Sequence, residues 1–492
     1  MAKTPEISAS RVQPEIRLTV EKYHLWILAL IAFSLLLGAV LAFLPKMFQF
    51  ALLGAVPAAF VCFLILRNPY TGVFLIFLYN FLRPYDLIPA LIPLRLSMIL
   101  EIITLLSLII HMTQTKKKPL WGFFSHLYLG YLGVILIGVF IAANNYYAYQ
   151  VFEAMLVIFI IYLLGINLIN TQKRLYQITW LLLLVHLYFA IKGTITFVTG
   201  SHLDTMGRAT SGQVGSGFLG DENDFALTMI IFLPFAYYGV LYFKNKLKLF
   251  FAFMLFWFVL AIVSSFSRGG LVGLGCLTIY SIITSRKKAR SLGVALALAG
   301  AIVAFAPSDY WQEALSIGQV HEGTAATRIR YWKAGIGMFI DHPLVGVGAE
   351  NGGVYMPAYI SGVDNPNIHW GRAFHGTIPQ ILAETGALGF GLYAAMMISA
   401  LWLLRREKRR PFAEGGNYFS HYMAESLMAS IIGYITTSTF ISTVYYPYLW
   451  TLYVLVIALV FIQRNQTGVD LVGIDSDRGE GQVVSTLSAG SR

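Results

Sequence analysis

Apolar runs of about 20 residues, the length a helix needs to cross the hydrocarbon of a bilayer, recur along almost the whole chain. The first is Leu25 to Leu44, and the last ends near residue 463. A chain assembled from such runs must satisfy its backbone polar groups inside the membrane, and runs of this length do so as helices. Of the 492 residues, 57% are hydrophobic and 12% charged, a balance that no soluble domain of this length shows. The fold class is therefore all-α: a polytopic membrane protein with about 12–14 transmembrane helices.

Candidate spans lie near 25–44, 48–66, 71–82, 96–112, 123–142, 149–169, 175–198, 224–243, 249–266, 269–285, 291–306, 376–404, 421–441 and 447–463. The first follows a polar stretch and lacks a small-residue cleavage site, so it reads as a retained span and not a signal peptide. The third is short and runs into RPYDLIPALIPLR, whose prolines argue for a re-entrant or interfacial segment over 83–95. With the N-terminus inside, the basic clusters at Lys116 to Lys118, Lys173 and Arg174, Lys244 to Lys248, Arg286 to Arg290 and Arg405 to Arg410 all fall on the cytoplasmic side. That is the positive-inside pattern. It accounts for the net charge of +11 without nucleic acid, which requires a continuous basic face. Cys62 and Cys276 both sit in apolar runs and build neither a disulfide framework nor a metal site.

This topology divides the chain into a cytoplasmic segment 1–24, N-terminal transmembrane helices over 25–199, and a core over 200–404 with outer loops 200–223 and 307–374. C-terminal transmembrane helices over 405–463 and a disordered cytoplasmic tail 464–492 follow. The second outer loop is large enough for helices of its own. Within it, TRIRYWKAGIGMFIDHP carries apolar residues at helical spacing, as expected of a helix lying on the membrane surface.

Arg268 is the charge hardest to place, because no acidic residue occurs from Phe225 to Ser308 to neutralise it. Either it snorkels from a helix end, or it faces a cavity or ligand. The outer face carries Arg83, Arg95, Arg208, Arg268, Arg328, Arg330 and Arg372 against Lys46, Lys192 and Lys333. Arginine's planar fork matches phosphate oxygens bidentately, so this bias points to an anionic, phosphate-bearing ligand outside. His375, where the large loop meets the next span, offers an imidazole that can take a proton near neutral pH; the plainer reading is a hydrogen bond to a loop carbonyl. Glu384, Glu101 and Glu153 fall in the outer halves of spans, where buried carboxylates usually pair with a cation. Asp221, Glu222 and Asp224 read as a solvated turn or helix N-cap rather than a metal site.

The order of GFLGDENDFAL, SSFSRGG, RIRYWKAGIGMFIDHPLVGVGAEN and HGTIPQILAETGALG resembles the O-antigen ligase and O-antigen polymerase family of bacterial membrane glycosyltransferases, over roughly Arg208 to Leu404. The resemblance implies that Ser267 and Arg268 are the family's Ser-Arg pair and His375 its catalytic histidine. Arg208 becomes the arginine upstream of an Asn-x-x-Ala turn formed by Asn223 and Ala226, and Arg208 and Arg268 become the diphosphate-binding pair. Glu384, Asn223, Ser267, Arg328 and Arg330 are supporting candidates. The chain departs from the pattern where Asp221 and Glu222 replace neutral residues and where Gly376, not asparagine, follows the histidine.

The resemblance further implies an inverting transferase that needs no metal or other cofactor. It would take an oligosaccharide from a polyprenyl diphosphate carrier to a hydroxyl of a glycan, lipid A core or protein, on the periplasmic side of the bacterial inner membrane. Membrane lipids are then partners and nucleic acid is not. The rival from another class is a transporter of a small anion such as bicarbonate, although one-sided charges and a large outer loop suit an enzyme better.

Overall fold

The structure, a computed structural model, describes residues 46–200, 220–285, 288–306, 310–311, 323–409 and 418–466. The expected span 25–44, the segments 1–24 and 467–492, and Arg208 lie outside the described residues. Two compact units divide at residue 68. In the first, α1 is the apolar helix Lys46–Arg67.

The second unit opens with α2 (Pro69–Leu82), the one-turn α3 (Pro84–Leu87), a 3₁₀ turn (Pro89–Leu91) and α4 (Leu96–Thr115). The proline-rich segment 83–95 thus holds two short turns, broken by left-handed backbone at Arg83 and Arg95. Next come α5 (Phe123–Ile141), α6 (Asn145–Leu168), α7 (Gln172–Thr199), α8 (Glu222–Tyr242), α9 (Asn245–Ser264), α10 (Arg268–Thr284) and α11 (Lys288–Phe305). The large loop contributes α12 (Gly323–Asp341), α13 (Gly352–Tyr359) and a 3₁₀ turn (Pro366–His369). The chain then returns through α14 (Thr377–Lys408), α15 (Phe419–Ser438) and α16 (Pro447–Gln466). Among the described residues no strand forms. Among the described residues eight helices are long and apolar enough to cross a membrane, and the protein is a multi-pass membrane protein.

Burial ranks these helices. Of the apolar stretch in α8, 89% is buried, against 22% in α4, so α8 is the central post and α4 lies at the periphery. Its interior proline, Pro234, cannot continue the helix ladder. Nearby, α15 is tied to α8, where Ser430 Oγ donates to the Ile231 carbonyl at 2.6 Å and Tyr422 to that of Phe235 at 3.2 Å. Close packing at this centre depends on small residues: a Cβ at Gly270 of α10 would stand 2.8 Å from the Ala226 Cβ of α8.

α14 is broken rather than continuous. Gly386 has φ 62 and ψ −163, a region essentially reserved for glycine. The break frees backbone groups that the segment 343–348 takes up. Val347 N and Gly348 N donate to the carbonyls of Ala383 and Glu384 at 2.8 and 3.1 Å, while Ala387 N and Leu388 N donate to those of Pro343 and Leu344 at 2.8 and 3.1 Å. The large loop is thereby stitched into the helix that follows it.

Candidate active site

Four helix starts meet at one end of the bundle. Asp221 caps α8, its Oδ1 accepting from Asn223 N at 2.8 Å and Asp224 N at 3.3 Å. This is the N-cap expected of the acidic run, and among the described residues no group of three or more His, Cys, Asp or Glu side chains could hold a metal ion. Ser267 caps α10 by accepting from Gly270 N at 3.1 Å, and its hydroxyl donates to Asn223 Oδ1 at 2.8 Å. The turns around Asn223 and Ser267 are therefore one structure. Tyr446, just before α16, donates to Asp224 Oδ2 at 2.8 Å. Thr377 at the start of α14 donates to the Ile441 carbonyl at 2.7 Å in the α15–α16 loop, and its Oγ1 lies 2.9 Å from Thr443 Oγ1.

Arg268 is the first residue of α10 and is half-buried. The positive end of a helix dipole repels a cation there, so helix stability does not explain the residue. The turn that delivers it is tight, with Phe266 at φ 53 and Ser267 N donating to Ser265 Oγ at 3.2 Å.

His375 lies on the same end, held in left-handed backbone (φ 52). That conformation is uncommon outside glycine and clusters at functional sites. Two aromatic residues of α12 hold it: Trp332 Nε1 donates to the His375 carbonyl at 3.3 Å, and the Tyr331 ring stacks on the imidazole at 6.4 Å with a 21° interplanar angle. Tyr331 in turn hydrogen-bonds His369 Nδ1 at 2.9 Å. The next position must be glycine, because a Cβ at Gly376 would come within 2.6 Å of Trp332 Nε1. The departure from the family's asparagine follows from this packing.

The imidazole keeps a solvent-accessible edge, yet the protein around it withholds water and pushes its pKa below the usual histidine range. The Arg328 cation pushes the same way, Asp221 opposes, and Arg372 adds a smaller push downward. His375 is thus neutral at neutral pH, as a proton acceptor must be.

Arg328 sits three residues before Tyr331 on α12, on the same helical face, and acts on His375. Arg330 is exposed on another face, and among the described residues no contact brings it to His375. Arg372, three residues before His375 in the chain, also acts on it. Glu384 departs from expectation in a different way. Its carboxylate is buried and accepts from neutral donors, Tyr445 at 2.8 Å and Gln380 at 3.3 Å, with no cation on it among the described residues. Glu101 likewise accepts from Ser97 at 2.7 Å. Glu153 faces a separate cavity. Sequence reasoning missed Trp332, Arg372, Tyr445 and Tyr446; the Tyr-Tyr-Pro-Tyr run at the start of the last span was the available signal for the tyrosines.

Residues 251–394 match the sequence model of the family described as O-Antigen ligase. Through this region the chain is similar to the O-antigen ligase family. The matched stretch contains Ser267, Arg268, Arg328, His375 and Glu384. It supports a ligase-type glycosyltransferase and gives no support to the anion transporter. No curated protein matches the chain.

Proposed function

We propose that the protein is an inverting glycosyltransferase that moves an oligosaccharide from a polyprenyl diphosphate carrier to an acceptor hydroxyl on the periplasmic side of the bacterial inner membrane. His375 takes the proton of the acceptor hydroxyl while its oxygen attacks the anomeric carbon. The bond from that carbon to the diphosphate oxygen breaks, and the lipid diphosphate leaves carrying the bonding electrons. Arg268, with Arg208 from the loop before α8, binds the diphosphate and stabilises the charge that develops on it. Asn223 and Ser267 fix the turn that presents Arg268. Burial, helped by Arg328 and Arg372, keeps His375 unprotonated, and the two arginines add positive field at the mouth of the site.

The observation that carries this reading is the convergence of a neutral, strained histidine with the arginine-bearing turn at one gathering of helix starts. Helix N-termini attract anions through their dipoles and open N–H groups, and the start of α14 has no side-chain cap. The acceptor then lies against α12, and Glu384 with Tyr445 braces α14 beneath the histidine as positioning residues.

The test is to incubate the purified protein with a lipid-linked oligosaccharide and separate candidate acceptors, then determine which product gains the glycan and with which anomeric configuration. Transfer with inversion is expected. Transfer with retention contradicts the single displacement at His375.

A further inference from the structure

A second cavity, of about 490 Å³, lies among α2, α3, α4, α6 and α16, apart from the histidine and arginine site. Its volume is that of a typical small-ligand site. One end is polar, with Asn80, Ser97, Gln150 and Glu153; the other is apolar, with Ile161 and Val454. Aromatic rings of Phe77, Phe81, Tyr85 and Trp450 form walls between them. A pocket graded in this way fits an amphiphile, head at the polar end and chain at the apolar end.

The head's charge follows from Glu153. Asn80 and Ser97 already bond each other at 2.7 Å, and Gln150 Nε2 donates to the Tyr146 hydroxyl at 3.0 Å. Among the described residues no hydrogen bond or ion pair reaches Glu153, and no lysine, arginine or histidine lines the cavity. The residue sits eight positions into the 24-residue α6, roughly 12 Å along the helix axis, inside the hydrocarbon when a helix of that length spans a bilayer. A carboxylate there is costly without a counter-charge. Aromatic faces attract cations as well. A neutral sugar brings no counter-charge to Glu153, and an anionic head is repelled by it.

We infer that this cavity binds an amphiphile with a primary ammonium head, the ammonium on Glu153 among the aromatic faces and the alkyl chain along Ile161 and Val454. The ammonium can come from an aminophospholipid head or from a simple alkylamine, and the inference is independent of the transferase reading.

The test uses the purified full-length protein and native mass spectrometry with two probe pairs of equal chain length: lysophosphatidylethanolamine against lysophosphatidylglycerol, and dodecylamine against dodecanol. A preference of about tenfold for the amine, the effect of one favourable charge pair, is expected in at least one pair. Preference in both assigns the aminophospholipid; preference for dodecylamine alone assigns the simple amine. Glu153→Gln should remove the preference and Glu153→Asp should keep part of it, with thermal melting confirming that both variants fold. Equal binding within both pairs by the wild type, or a preference undiminished in folded Glu153→Gln, would overturn the inference.

Discussion

His375 shows how a single residue is prepared by its neighbours. Left-handed backbone aims it, Trp332 holds its carbonyl, Tyr331 covers one face of its ring, and burial, with the nearest cations, depresses its affinity for a proton. Because that depression keeps the free base populated at neutral pH, kcat/KM for transfer should rise with pH along a limb below the usual histidine range and be flat through neutrality. Arg328→Ala removes one of the downward influences, so the limb should move to higher pH; Asp221→Asn removes the upward one, so it should move lower. Trp332→Phe deletes a hydrogen bond worth about 1 kcal/mol, and kcat should fall roughly fivefold with KM little changed. His375 and Arg268 were legible in the sequence because each is an isolated polar group at the edge of an apolar run. Arg372 was not, since nothing local distinguishes it from Arg330. Only the packing of α12 against the residues around His375 separates an arginine that acts on the histidine from one that points away.

At the scale of elements, the broken helix α14 joins the large loop to the membrane bundle. The four backbone bonds between 343–348 and 383–388 exist because Gly386 leaves the helical conformation, and Glu384 and its tyrosine partner sit just before the break. Gly386→Ala places a side chain in a glycine-only conformation and within 2.4 Å of the Leu344 backbone. A loss of about 3 kcal/mol or more is expected, visible as a large drop in melting temperature. Ser267→Ala should cost about 1 kcal/mol as a lost N-cap and also free the Asn223 turn, so donor affinity should weaken along with stability. Ser267→Thr keeps both roles of the hydroxyl and should restore most of each. The helices themselves were readable from apolar run length, and the described ones begin and end within a few residues of the expected spans. The break was not readable, because Gly386 in TGALGFG looks like any small residue in a membrane helix. Its partners lie in another loop, brought near only by the fold. The pairing of Glu384 with Tyr445 was obscured for the same reason: a buried carboxylate in sequence suggests a cation, while the fold supplies a phenol.

For the whole molecule, the gathering of helix starts at one end concentrates positive dipole ends, the arginine turn and the histidine in one place, with the loop helices above them and the apolar bundle below. In the function we propose, such a layout would keep the lipid carrier's chain among the spans while its diphosphate meets the polar end. The family match over 251–394 supports a ligase-type glycosyltransferase, and the chemistry we propose for it is transfer away from a lipid diphosphate with a histidine as the base. The measurement that bears on this most directly is release of polyprenyl diphosphate from a lipid-linked oligosaccharide, followed together with donor binding, by the wild type and His375→Ala in the presence of acceptor. The account predicts release by the wild type, with the variant losing at least about a hundredfold in rate while donor affinity is unchanged. Release by His375→Ala at the wild-type rate would contradict it.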